Sequence, residues 1–341
     1  PNRLFRNLGD GRFADVTDTA AVAGAAKAWS TSCGFFDYDR DGDLDLFVCN
    51  YVEWSRQIDL DQGFVLTGVG RAYGPPTSFQ GTFPYLYRNE GDGRFTDVSA
   101  PAGVQVRNAV TDVPAAKSLG VRFVDLDVDG WPDVVVANDT VQNFVFHNQG
   151  DGRFEEVGAT SGLGFDGAGK ATGAMGIDIG HHRNDRELAV AIGNFANEMT
   201  SLYVAQRGMQ FSDESIGEGV GAPSRMVLSF GLFFFDYDLD GRLDLLQANG
   251  HLEDEISEVQ ASQQYRQPAQ LFWNAGSEAR SCFAEVPRDR TGDLSRPIVG
   301  RGAAYADVDA DGDLDVVLTQ TGGPPMLLRN EQTLGHHWLR V

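Results

Sequence analysis

Residues 37–50 read DYDRDGDLDLFVCN, in which five of the first nine residues are aspartate and an apolar run follows at once. Like charges at this density repel unless a cation or a dense set of donors neutralises them. The stretch recurs as DLDVDGWPDVVVAN from Asp125, DYDLDGRLDLLQAN from Asp236 and DVDADGDLDVVLTQ from Asp307. Each copy is preceded by a small residue within an apolar run (SCGFF, GVRFV, GLFFF, GAAYA). Two apolar strands around an acidic loop make a β-hairpin.

A second unit alternates with the first. It reads NRLFRNLGDGRFADV near the start, PYLYRNEGDGRFTDV to Val98 and NFVFHNQGDGRFEEV to Val157, with weaker copies from Ser201, to Val286 and to Asn330. An Asp-Gly pair between alternating strands predicts a two-residue turn with positive φ at both positions. The acidic loops start at 37, 125, 181 (a degenerate copy), 236 and 307, so successive starts lie 88, 56, 55 and 71 residues apart. A repeat of about 55 residues holding two hairpins is one four-stranded propeller blade. The expected fold is an all-β propeller over residues 1–330 that begins mid-blade. Surplus residues lie in a long insert, 51–84, rich in aromatics, Gly and Pro. A loop of that length is either functional or a structural cap. A second surplus, 253–268, reads as a polar, solvated loop.

The spacing D-x-D-x-D-G-x-x-D places side-chain oxygens at loop positions 1, 3, 5 and 9, with a backbone carbonyl at 7 and a glycine for the sharp turn at 6. Ca²⁺ takes six to eight hard oxygen ligands in tolerant geometry, whereas Mg²⁺ demands a strict octahedron and zinc or copper would call for His or Cys. The expected side-chain ligands are Asp37, Asp39, Asp41 and Asp45; Asp125, Asp127, Asp129 and Asp133; Asp236, Asp238, Asp240 and Asp244; and Asp307, Asp309, Asp311 and Asp315. Asp43, Trp131, Arg242 and Asp313 are the expected carbonyl donors. About four Ca²⁺ ions are implied, each pinning a hairpin. An EF-hand is a poorer fit, because position 12 is Val48, Val136, Gln247 or Leu318 rather than Glu. In the degenerate copy His181 takes position 1, Arg183 position 3 and Asp185 position 5, Arg186 replaces the glycine, and the loop reads as two residues short. No calcium is expected there. A solvated turn with an Arg183–Asp185 pair is expected instead of a transition-metal site at His181 and His182.

These features resemble the FG-GAP/VCBS repeat proteins, whose calcium-loop blades also occur in integrin α-chains. CNYVEW, AYGPPTSFQG, LYRNEGDGRFTDVSAPAGV, QANGH at 247–251 and the terminal LLRNEQTLGHHWLRV are similar to the ASPIC/UnbV family, the cartilage acidic protein 1-like proteins. His337, Trp338, Leu339 and Val341 match the element that opens the ASPIC/UnbV domain, so residues 331–341 read as the start of a truncated copy. Gly74 stands where the family commonly carries Cys. The resemblance implies a secreted or surface protein with a calcium-binding propeller of about seven blades in the full protein, and no catalytic residue set.

The formal charge of −22 argues against nucleic acid and anionic membrane surfaces, and no run of eighteen apolar residues is present to span a bilayer. The three cysteines exclude a disulfide-dense scaffold. Cys33 and Cys49 flank the first loop symmetrically about Asp41, which predicts a cross-strand disulfide in an oxidising compartment. No nucleophile elbow, HExxH or phosphate loop occurs. His251 reads as a turn histidine rather than a base, and His147 as a packing or capping residue. The function expected is a secreted, extracellular or periplasmic binding or adhesion module for a protein or glycan, with calcium structural. The alternatives are a polysaccharide lyase or hydrolase on a propeller, and a structural domain of a larger surface assembly.

Overall fold

A computed structural model describes residues 1–336; the His337, Trp338, Leu339 and Val341 motif lies outside them. The chain forms two compact units, Pro1–Phe64 with Gly74–Phe165, and Val65–Tyr73 with Asp166–Val341.

The first unit holds a two-stranded sheet (Phe5–Asn7, Phe13–Asp15) and two four-stranded antiparallel meanders. The first blade runs Ser30–Phe36, Asp45–Asn50, Tyr85–Asn89, Phe95–Asp97, and the second Ser118–Val124, Asp133–Asn138, Phe144–Asn148, Phe154–Glu156. The second unit holds a third blade (Ile177–Gly180, Ala189–Ile192, Ser201–Arg207, Gln210–Asp213) and a fourth (Ser229–Phe235, Asp244–Asn249, Gln270–Asn274, Phe283–Glu285). A three-stranded fifth follows (Gly300–Ala306, Asp315–Gln320, Met326–Leu328). Every four-stranded sheet is an acidic-loop hairpin followed by the second kind of hairpin, so the repeat unit is the β-propeller blade. No helix among the described residues is long and apolar enough to cross a membrane.

The second strand of each blade explains the unbroken apolar runs. All six residues of Asp45–Asn50, Asp133–Asn138 and Asp244–Asn249 are buried, because each sheet is covered on both faces. Between the first and second blades lie Phe36, Phe47, Leu86, Val121, Val136 and Phe146. Between the third and fourth lie Ala191, Leu202, Leu232, Phe234, Leu245 and Phe272. Glycine just before the first strand of the third blade lets a neighbour approach: a Cβ on Gly176 would sit 1.9 Å from the carbonyl oxygen of Phe230.

Four expectations need correction. The acidic hairpins close in one register, Phe36 with Asp45, Val124 with Asp133, Phe235 with Asp244 and Ala306 with Asp315. The degenerate copy pairs Gly180 with Ala189, so it has full length and differs only in chemistry. The same register pairs Cys33 with Val48 and not Cys49. Side chains alternate along a strand, so a one-residue offset sends the two thiols to opposite faces; both are free, Cys33 exposed and Cys49 buried. The Asp-Gly turns are also longer than two residues. Leu8 N–H reaches Arg12 O, and positive φ falls on Gly9 and Gly11 rather than on Asp10 and Gly11. Finally, the 253–268 segment is only partly solvated: it holds a helical turn, Ile256–Val259, and buries Gln263 and Gln267.

Within the 51–84 insert, Ser55 caps the helix Arg56–Gln62 by accepting from Ile58 N–H at 3.2 Å, and Gly63 ends it at φ 55°.

Candidate metal centres

The acidic loops are built from the backbone outward. At position 1 the carboxylate takes the N–H groups of positions 5 and 6, Asp37 from Asp41 and Gly42 at 3.1 Å each. Asp125 does the same with Asp129 and Gly130, and Asp236 with Asp240 and Gly241. At position 5, Asp41, Asp129, Asp240 and Asp311 accept from the N–H of position 7, that is Asp43, Trp131, Arg242 and Asp313, at 2.8–3.0 Å. Two left-handed residues close the turn: the glycine at 6, and a non-glycine at 4, where Arg40, Val128, Leu239 and Ala310 have φ between 56° and 64°.

Position 9 is occupied twice over by backbone. Asp45 accepts from Tyr38 N–H at 3.0 Å and Asn89 N–H at 2.8 Å; Asp133 from Leu126 and Asn148; Asp244 from Tyr237 and Asn274; Asp315 from Val308 and Asn330. Asp45, Asp133 and Asp244 therefore tie the acidic loop to the third strand of their own blade, and Asp315 ties it to the segment just after that strand, a role the spacing alone did not reveal. Burial pushes the Asp45 carboxyl up to about 6 and that of Asp244 to about 8.

Position 3 is open in two loops, while Asp127 Oδ1 accepts from Asp129 N–H at 3.3 Å and Asp309 pairs with Arg329. Asp39 Oδ1 and Asp238 Oδ1 are buried without a hydrogen-bond partner, and Asp238 as a whole is 5% exposed. Burial, then the neighbouring Asp41 charge, raises the Asp39 carboxyl. Oxygens of Asp37, Asp39 and Asp41 lie within 4.8 Å of one another, as do those of Asp125, Asp127 and Asp133, and of Asp236, Asp238 and Asp244. Such clusters of hard oxygens with an unmet buried lone pair suit a divalent cation of the calcium type.

In three of the acidic-loop blades the residue before the Asn of the second hairpin reaches toward position 3, whereas Arg88 of the first blade pairs with Glu90. Arg329 pairs with Asp309, Trp273 Nε1–H donates to Asp238 Oδ2 at 3.1 Å, and His147 Nε2 lies 3.9 Å from Asp127 while its Nδ1 meets Asp133 at 3.0 Å. His147 thus faces the acidic loop rather than merely packing, and Asp127, Asp129 and His147 themselves cluster within 4.8 Å. Arg242 pairs with Asp240, so one expected ligand there already has a cationic partner.

In the degenerate loop Arg183 stands at position 3. Its guanidinium pairs with Glu218 and, at 3.2 Å, with Glu187, rather than with Asp185, which instead accepts from Glu187 N–H. His182 is fully buried, stacks on Phe283 and lies 3.4 Å from Glu218. Burial would raise Glu218, but the hydrogen bonds from His182 and Arg183 win and hold it down at about 2. The chain supplies its own cation where the aspartates are missing. His251 is a satisfied turn histidine: Nδ1 accepts from Glu253 N–H at 3.0 Å, and burial lowers it to about 4.

A family model for FG-GAP-like repeats matches residues 1–48, 77–136 and 125–181. Cartilage acidic protein 1 of Mus musculus is 26% identical over 262 residues, 72% of this chain and 34% of that protein. The Homo sapiens protein is 23% identical over 283 residues, 75% and 38% respectively. The chain spans little more than a third of the length of these two relatives. Among solved structures, it is similar to a GH32 β-fructofuranosidase of Bombyx mori (12% identity, TM-score 0.38, 87% of this chain and 56% of that one). It is also similar to a GH43 β-1,3-galactosidase (7% identity, TM-score 0.41, 86% and 89%).

Proposed function

We propose, for this chain of FG-GAP-like repeats related at modest identity to cartilage acidic protein 1, a secreted or surface binding module whose acidic loops hold structural Ca²⁺. The observation that carries the reading is the buried, partnerless Oδ1 of Asp238 among the converging oxygens of Asp236 and Asp244. An isolated buried carboxylate oxygen costs free energy that a coordinated cation recovers. Positions 1, 3 and 5 supply the ligands, the lone pairs of position 9 not spent on backbone N–H complete the side-chain set, and the position 7 carbonyls add to it. Four such ions would bring the formal charge from −22 to −14. The blades then act as a stiff frame that presents connecting loops to an extracellular protein or glycan.

The test is calorimetric melting after exhaustive EGTA treatment, with Ca²⁺ or Mg²⁺ added back. Each site held at one hundred times its Kd contributes about 2.7 kcal/mol, so Ca²⁺ is expected to restore many degrees of melting temperature and Mg²⁺ far fewer. A melt indifferent to EGTA would overturn the reading.

A further inference from the structure

The first unit contains a cavity of about 450 Å³ whose walls come from the insert, the 106–117 segment and the second blade. None of its lining residues is acidic, in a chain with 49 Asp and Glu, and two of them are Arg107 and Lys117. Lys117 is 7% exposed; its Nζ donates to the carbonyl of Pro76 at 2.6 Å and makes no ion pair among the described residues. An ammonium has three donors and is costly to bury; burial lowers this lysine, and the charge of Asp139, which is not part of the cavity lining, offsets part of that. Arg107 lies over the Phe83 ring at 5.0 Å, and its Nη1 donates to the carbonyl of Asp112 and lies 3.8 Å from the carboxylate of that exposed residue, leaving its other guanidinium nitrogens for a ligand. Asn108 has its Oδ1 taken by the N–H groups of Val110 and Thr111, which turns its amide NH₂ to donor duty. Phe79 and Phe144 supply apolar wall. The insert side is held rigidly: Thr82 N–H donates to Ala116 O at 3.0 Å, and a Cβ on Gly81 would come within 2.4 Å of that oxygen.

We propose that this cavity is a binding site for a carboxylate carried on a single-ring body, with the carboxylate taken by Lys117 and Arg107 and the ring laid against Phe79 and Phe144. The volume falls within the usual range for small-ligand pockets, where an apolar lining with a few convergent polar groups sets orientation. A carboxylate accepts charge-assisted bonds from a lysine and an arginine together. No lining residue belongs to an acidic loop, so the site does not rest on the metal reading.

The experiment is isothermal titration of the whole chain with sodium benzoate and with sodium glucuronate, each in Ca²⁺ and in EGTA, alongside benzyl alcohol and glucose as uncharged counterparts. Saturable binding of at least one acid and of neither counterpart is expected, weakened about tenfold in Lys117→Met and several-fold in Arg107→Gln. Benzoate alone assigns an apolar acid, glucuronate alone a sugar acid. Arg107 is half exposed, so Arg107→Gln decides the matter should Lys117→Met fail to fold. Absence of saturable binding by either acid, or binding undiminished in both variants, would overturn the site. Binding that persists in EGTA while the melt ignores Ca²⁺ separates its fate from that of the metal reading.

Discussion

At the scale of single residues, loop position 4 carries strain that the sequence conceals. Val128 has φ 63° and is 85% exposed, so no packing repays its conformation. The left-handed region costs an L-residue about 1–2 kcal/mol, and a β-branched side chain is the poorest occupant. The degenerate loop has Asn184 there, at φ 55°, the residue type that tolerates this region best. Val128→Asn is expected to raise unfolding free energy by about 1 kcal/mol, read from urea denaturation. Equal or lower stability would mean the loop relaxes around Val128. The aspartate ladder was legible by spacing, yet the division of labour within it was not. Position 9 shares the residue type of position 3 but is buried against backbone amides, and only the register reveals that.

At the scale of elements, an Asn at or just after the third strand clamps neighbouring blades in three places. Asn148 is fully buried; its Nδ2 donates to Pro132 O in its own loop and to Tyr38 O in the loop of the preceding blade. Asn274 likewise reaches His182 O, and Asn330 reaches Tyr237 O. The RN pair of the second hairpin was visible as a repeat without a reason, because its partner lies 110 residues away in sequence. Asn148→Ala leaves those carbonyls and Gly150 N–H without their partner and is expected to cost about 2–4 kcal/mol, whereas Asn89→Ala, whose side chain bonds Leu44 O and Gly91 N–H, both of its own blade, costs less. Equal losses in thermal melts of the two variants would refute the clamp. The cysteine pair shows the same limit from the other side: symmetric spacing suggested a bond that a one-residue register forbids.

At the scale of the whole molecule, the five loops that join the first and second strands of the blades are not chemically equivalent. Four loops carry the aspartate ladder, its oxygens converging in the first, second and fourth blades, while the third blade carries Arg183 at position 3 with Glu218 and Glu187 around it. Glu218 faces His182, Arg183 and Cys282, and its carboxyl sits at about 2 against an ordinary 4.5. A depressed carboxylate contributes stability that is fully present above the unfolded pKa and is lost as pH falls through 4.5 toward 2. Arg183→Met is therefore expected to lose about 2 kcal/mol at pH 7, with the gap to the parent chain narrowing as the melt is moved from pH 5 to pH 3, and with no change in Ca²⁺ response. A gap that widens in acid would refute the pair.

The sequence by itself determined the blade: two hairpins, an acidic nine-residue loop, and apolar strands buried on both faces, because strand period, turn chemistry and charge are local properties repeated often enough to be read without neighbours. Tertiary structure alone decided which aspartate oxygens remain open, that Asn clamps one blade to the next, and that Cys33 and Cys49 face apart. It also decided that the aromatic insert walls a cavity holding Lys117 and Arg107. Each of those depends on register or on contacts between segments far apart in the chain, where a shift of one residue reverses the side a group faces.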